Sequence, residues 1–316
     1  MSGPAAPAGT SGLPIALDAM GGDDAPAVTV AGARAAQEAG VRVVLVGDRE
    51  RIAAQPDAHG LRVVHAAESI GMGEDAALAV RQRRGASVRV AAGLVARGEA
   101  AGLVSAGSTG ATLAAALLEV GRVRGVRRPV IGALLPLGKR GIVLADAGAG
   151  MDVQPEALRE SACMARAYAR ALGVRRPTIG LLNVGAEPGK GNELTRAAAE
   201  LLASVEGFTG NVEPAAALRG AVDVVVTDGF TGNVFLKTIE ALAPTPNATP
   251  DSAAVLLGVA AVVLVAHGAA DAAQIAGALR MAQEVASAGL CERIAVELSA
   301  GPSAGRAGMG GEAAWA

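Results

Sequence analysis

Short aliphatic runs recur along the chain at residues 15–17, 41–46, 63–64, 103–104, 130–135, 142–144, 179–182, 222–226 and 262–265. Their length, their β-branched content and the glycine, proline or polar residues around them are the marks of strands. Between them the apolar positions change to helical spacing over 28–39, 76–95, 154–172 and 194–204. Glu156 and Glu193 stand near two of the helix starts, where the dipole favours an acid. Strands alternating with helices predict an α/β fold with a mostly parallel sheet covered by helices. Ligands of such sheets bind beyond the carboxyl ends of the strands.

The longest apolar stretch, 253–266, contains Gly258 and falls short of the roughly 20 residues that cross a bilayer, so it reads as a buried helix-to-strand segment. Pro244, Pro246 and Pro250 make 243–251 a loop. Residues 1–13 lack the basic start and apolar centre of a signal peptide and read as a disordered tail. Periodicity is lost again after Leu298, so 298–316, with Trp315, reads as a second tail. The expectation is a single α/β domain over 14–297 with no internal repeat.

Composition narrows the function classes. Of the 316 residues 51% are hydrophobic but only 2% aromatic, so the core is built from Ala, Val, Leu and Ile. A net charge of −2, with no basic stripe interleaved with aromatics, argues against nucleic acid as a partner. Cys163 and Cys291 are far apart, as in a reduced cytosolic protein. His59, His65 and His267 show no metal-ligand spacing, and no metal site is expected.

The candidate chemistry lies in glycine-rich turns. Thr227-Asp228-Gly229-Phe230-Thr231-Gly232-Asn233 follows the apolar run 222–226 and leads into a helix, and Ser105-Ala106-Gly107-Ser108-Thr109-Gly110-Ala111 repeats that grammar after Leu103-Val104. Glycines let backbone N–H groups approach a ligand, and a helix N-terminus attracts negative charge, so each turn is a candidate anion site and phosphate the leading ligand. Together the two turns predict one shared cleft. A third turn, residues 183–193, supplies the only lysine of the set, Lys190. It is one residue too short for an ATP-binding loop, and Gly191 replaces the required hydroxyl residue. No dinucleotide fingerprint follows the first strand, where Asp18, Gly21, Gly22 and Asp23 stand instead.

Each residue also has a plainer reading. Asn233 caps a helix that starts after Gly232, Ser105, Ser108 and Thr109 form turns, Lys190 is a surface lysine, and Asp18 and Asp23 fix a turn. His267 is then structural, and the arginine groups 81–84 and 122–128 are solvated faces, although an acidic carrier protein would need such a patch.

Taken in order and at their spacing, DAMGGD (18–23), SAGSTGA (105–111), LNVGAEPGKGNELT (182–195), TDGFTGNVFLKTIE (227–240) and AHG (266–268) resemble the PlsX family of acyl-carrier-protein:phosphate acyltransferases, over about 15–286. The resemblance implies a homodimeric three-layer α/β/α enzyme, akin in fold to isocitrate and isopropylmalate dehydrogenases. Such an enzyme makes acyl phosphate for phospholipid synthesis from inorganic phosphate and acyl carrier protein, with no dissociable cofactor. It implies catalytic roles for Lys190 and Asn233. The expected substrate-binding set is Asp18, Gly21, Gly22, Ser105, Gly107, Ser108, Thr109, Gly110, Asp228, Gly229, Thr231, Gly232 and His267.

The chain departs from the family pattern at Asp24, Ser108 and Gly150, and at Ala260 and Val265, where lysines are usual. The prolines of 244–250 replace an amphipathic hairpin implicated in dimer contacts and membrane association. A cytoplasmic enzyme is implied, with attachment to the inner face of the membrane left open. Two other readings stay open: a divergent inactive paralogue, and a phosphate acetyl- or butyryltransferase that uses acyl-CoA.

Overall fold

The computed structural model describes residues 12–137, 141–242 and 253–299, which leaves the two tail ends, residues 138–140 and the proline-rich loop outside the described residues. The strands are β1 (Ile15–Asp18), β2 (Val43–Gly47), β3 (Arg62–His65), β4 (Gly102–Ser105), β5 (Val130–Leu135) and β6 (Ile142–Ala145). They continue with β7 (Ile179–Leu182), β8 (Phe208–Val212), β9 (Val224–Val226), β10 (Ala254–Leu257) and β11 (Val262–Val265). The helices are α1 (Ala27–Glu38), α2 (Arg49–Ala53), α3 (Ala76–Gln82), α4 (Ser87–Ala96), α5 (Thr109–Glu119) and α6 (Pro155–Ala171). After these come α7 (Glu193–Leu202), α8 (Pro214–Leu218), α9 (Gly229–Leu242), α10 (Ala272–Ser287) and α11 (Leu290–Ser299).

The eleven strands among the described residues join one sheet in the order β3-β2-β1-β4-β11-β10-β5-β6-β9-β7-β8. Alternate residues of each strand face opposite layers. Leu17, Leu45, Val104, Leu264 and Ile179 meet α1, α6, α7, α10 and α11, whereas Ala16, Val44, Leu103, Val263 and Leu144 meet the layer of α4, α5 and α9. Strands covered on both faces become continuous apolar runs, which is why they were legible as such.

The sheet is parallel within β3-β2-β1-β4-β11 and again within β6-β9-β7-β8, but β10 is antiparallel to β11 and to β5, and β5 is antiparallel to β6. The two parallel blocks therefore run in opposite directions.

Two local expectations are corrected, and one strand was not anticipated. The stretch 253–266 is a strand pair, β10 and β11, turning at Gly258, whose φ of +95° and contacts with Met164 and Val126 leave no room for a side chain. The helix expected over 76–95 divides into α3 and α4, because the intervening residues bond to another loop: Ser87 N–H donates to Glu68 O (2.9 Å) and Gly85 N–H to Glu68 Oε2 (3.2 Å). Strand β8, Phe-Thr-Gly-Asn-Val, carries too little apolar alternation to have been seen.

Small residues bring the layers close. A Cβ at Gly32 on α1 would fall 2.6 Å from Ile275 on α10. The single tyrosine, Tyr168 on α6, is fully buried near Gly132 of β5, its hydroxyl 3.5 Å from Met281 Sδ of α10.

One buried charge cluster ties α6 to α11. Arg166 contacts Glu297 (2.9 Å) and Glu206 (2.8 Å), and Arg170 contacts Glu297 (2.7 Å), with the Arg166 and Glu297 side chains each 9% exposed. Removing one partner of a buried pair strands the other charge. Glu297→Ala is therefore expected to destabilise the fold by about 3 kcal/mol in urea titration. A loss typical of a surface pair, under about 1 kcal/mol, would show that solvent reaches the cluster.

Candidate active site

Strands β6, β9 and β7 are neighbours running the same way, so the turns at their carboxyl ends lie side by side. The first turn is Asp146-Ala147-Gly148-Ala149-Gly150. The Asp146 carboxylate accepts backbone N–H groups from Ile131 (3.0 Å), Gly148 (3.0 Å), Ala149 (2.9 Å) and Gly150 (2.6 Å). This is an anion nest of the kind that holds phosphate, and the protein's own aspartate fills it. Gly150 suits the position, since a Cβ there would fall 2.7 Å from Val153 Cγ1.

The second turn starts α9. Asp228 accepts the Thr231 N–H (2.9 Å) and Thr231 Oγ1 (2.7 Å), which makes Asp228 the cap of a helix that begins at Gly229. Gly229 and Gly232 let the helix lie on the first turn, for a Cβ at Gly232 would sit 1.9 Å from Asp146 O and one at Gly229 2.7 Å from Gly150 O. Asn233 therefore lies inside the helix and does not cap it. Its side chain faces Gly148, with Cγ and Oδ1 3.6 and 3.8 Å from where a Cβ would be, and the amide makes no hydrogen bond among the described residues.

The third turn presents Lys190. Asn183 Nδ2 donates to Lys190 O (3.1 Å), and Gly191, with φ +97°, has no room for a Cβ beside Thr195 and Asn183. The lysine stem lies over Gly185, and its exposed ammonium forms no ion pair among the described residues. Asn192 caps α7 by accepting the Thr195 N–H (2.9 Å).

The remaining expected residues gather elsewhere. Asp18 and Ser105 end the paired strands β1 and β4, and Ser105 Oγ donates to Asp18 Oδ2 (2.8 Å) while accepting the Gly107 N–H (3.1 Å). Gly21 and Gly107 touch through their backbones. Ser108 caps α5 by accepting the Ala111 N–H (3.4 Å), with Thr109 and Gly110 exposed in its first turn. His267, exposed after β11, accepts the Ala269 N–H (3.2 Å) on Nδ1, and Gly22 packs against Ala106 and Gly268.

The single cleft expected from the two turns does not form within one chain. Because β4 and β9 run oppositely, Ser105-Gly107 and Asp228-Asn233 lie at opposite ends of the sheet. They are also five strand spacings apart, on the order of 24 Å. Lys190, Asp228, Gly229, Thr231, Gly232 and Asn233 share one end. Asp18, Gly21, Gly22, Ser105, Gly107, Ser108, Thr109, Gly110 and His267 share the other.

Two residues were missed as contributors. Asp146 had the same signal as the other turns, an aliphatic run followed by a glycine-rich loop. Ser87, which hydrogen-bonds Asp18, had none. No group of three or more His, Cys, Asp or Glu residues suited to a metal ion occurs among the described residues.

The family model described as fatty acid synthesis protein matches residues 13–248. A phosphate acyltransferase of Desulforamulus reducens is 42% identical over 320 residues, covering 89% of this chain and 96% of that protein. One from Thermus thermophilus is 44% identical over 322 residues, covering 90% and 98%. Two solved structures share the fold at low identity. The EutD phosphotransacetylase from Staphylococcus aureus has a TM-score of 0.63 at 17% identity, covering 87% of this chain and 94% of that one. The 4-hydroxythreonine-4-phosphate dehydrogenase from Klebsiella pneumoniae has a TM-score of 0.57 at 19% identity, covering 87% and 99%.

Asp18 gives this geometry a pH signature. Burial raises its pKa above the usual 3.8, outweighing the hydrogen bonds from Ser87, Ser105, Met20 and Gly21 that favour the charged form. The folded protein thus holds the proton more tightly than the unfolded chain. The resulting stability is fully present below the unfolded pKa and is lost as pH rises through the folded one. Asp18→Asn, which cannot ionise, should gain stability relative to the unmodified protein as pH rises from about 4 to 7. Urea midpoints of the two proteins that keep a constant separation across that range would refute the assignment.

Proposed function

Since the chain belongs to the fatty acid synthesis protein family, with phosphate acyltransferases as relatives over most of its length, we propose that it moves a fatty acyl group from acyl carrier protein to inorganic phosphate. It is an acyltransferase whose acceptor is phosphate. The carrier thioester as donor, the residue roles and a homodimeric enzyme in the cytoplasm, beside the membrane that consumes its product, belong to the proposal. Among the described residues no helix is long and apolar enough to cross a membrane.

The observation that carries the reading is the unengaged Asn233 amide at the sheet end that also bears Lys190. Three carboxylate or amide groups of the neighbouring turns are committed, Asp146 to its nest and Asp228 and Asn192 to helix caps. A phosphate oxygen attacks the thioester carbonyl and forms a C–O bond, while the carbonyl electron pair moves onto oxygen. When that oxyanion collapses the C–S bond breaks, leaving acyl phosphate and a thiolate. A thiol of pKa about 8.5 leaves without a strong general acid, so the useful groups are a cation to hold phosphate and a donor to the oxyanion. Lys190 serves as the first and the Asn233 amide as the second.

Phosphate-dependent thiol release, with long-chain acyl carrier protein and acyl-CoA as alternative donors, tests the reaction. Release from the carrier supports it, release from short acyl-CoA alone favours a phosphate acetyl- or butyryltransferase, and none from either favours an inactive paralogue. Asn233→Ala should lower kcat about 100-fold or more with an unchanged melting temperature, and Lys190→Ala should raise the KM for phosphate. Asp228→Ala, which removes a cap, should instead cost about 1 kcal/mol of stability. An Asn233→Ala enzyme with full turnover would remove that residue from the mechanism.

A further inference from the structure

We propose that the arginine loop of residues 121–129 is the docking surface for the donor, an acidic protein that carries the acyl thioester. The inference rests on the carrier-protein reading above and assigns it a surface.

Four arginines, Arg122, Arg124, Arg127 and Arg128, occur within this loop, and all are exposed. The chain as a whole has a net charge of −2, so such a concentration is not a by-product of a basic protein. Several other arginines are neutralised in place, Arg83 by Glu74, Arg89 by Glu119, Arg97 by Glu99, and Arg166 and Arg170 by Glu206 and Glu297, whereas Arg81, Arg84, Arg175 and Arg176 form no ion pair among the described residues but occur at most two together. In the loop only Arg127 has an acidic partner among the described residues, Glu160. Arg122, Arg124 and Arg128 keep their charge for solvent or a ligand.

The loop is fixed in place. Val123 and Val126 are buried, Val123 N–H donates to Gly258 O (2.9 Å), Ala260 N–H donates to Gly121 O (3.0 Å), and the Arg122 guanidinium bonds the Arg127 carbonyl. Charges on a rigid mount lose little freedom on binding and favour one orientation of an oppositely charged partner.

Its position matters most. The loop feeds the amino end of β5, which pairs antiparallel with β6, so it emerges at the sheet end where Asp146 and Asn233 lie. Ile131 N–H bonds Asp146 directly. Arg128 lines one pocket with Asp146, Gly150, Thr227 and Asp228. An acidic carrier seated on the loop would deliver its thioester to the Asn233 end of the sheet, the end that also bears Lys190.

The test compares three donors at low ionic strength: acyl carrier protein, acyl-CoA, and a small uncharged acyl thioester. Arg124→Glu and Arg122→Glu/Arg124→Glu should lower kcat/KM for the carrier about tenfold or more, through KM and with kcat at saturation kept. Added salt should weaken the unmodified enzyme and narrow its gap to the variants. The small thioester should react unchanged. Arg175→Glu/Arg176→Glu, an exposed pair preceding β7 at the far end of the sheet, should leave the carrier kinetics intact. Equal losses with all three donors would show a structural role and overturn the proposal. So would a loss confined to acyl-CoA, which would make the loop a nucleotide-phosphate site, or unaffected carrier kinetics. If the unmodified enzyme uses acyl-CoA but not the carrier, the donor reading itself fails, and that is seen before any variant is made.

Discussion

The reversal of strand direction at β10 and β5 governs everything else in this molecule. A parallel block sends all its carboxyl ends, and the helix N-termini that follow them, to one edge. Two blocks running in opposite directions give the protein two such edges. The turns at the ends of β6, β7 and β9 form one set, and those at the ends of β1, β4 and β11 the other. The same reversal brings the arginine loop, which enters β5 from its amino end, to the edge that holds Lys190 and Asn233.

At that edge the proposed site is defined by elimination as much as by recruitment. Glycine-rich turns offer backbone N–H groups to anions, yet the best formed of them, the loop after β6, is occupied by the chain's own Asp146. Asp228 and Asn192 likewise spend their oxygens on the helices they start. Within these three turns a lysine propped between two glycines and an amide lying over a third stay unspent. Rigidity and availability are thus divided between neighbours. The committed side chains fix the backbone, and the uncommitted ones face whatever enters.

The sequence made the sheet legible because both-face burial writes strands as unbroken aliphatic runs, and the turn chemistry legible because glycine and hydroxyl residues cluster there. It did not reveal strand direction. The pair β10 and β11 reads as one apolar segment, since only Gly258 marks the turn between them, and with the hairpin unseen the two candidate anion turns seemed to face each other. Asn233 shows the same limit on a smaller scale. Its place directly after Gly232 suggested a cap, whereas the cap is five residues earlier at Asp228, a shift that only the helix start reveals. Ser87 carried no local signal, because its partner Asp18 is distant in the chain.

A core of alanine, valine and leucine, with glycine at contacts such as Gly32 against Ile275, has an optical consequence. The chain has one tyrosine and one tryptophan, and Trp315 lies outside the described residues. Tyr168 is fully buried between α6, β5 and α10, at the strand where the sheet changes direction. Once the contribution of Trp315 is removed, for instance by Trp315→Phe, near-ultraviolet circular dichroism of tyrosine views the fold through a single window, placed where its two halves meet. The chain carries a built-in spectroscopic reporter of that junction, with no label added.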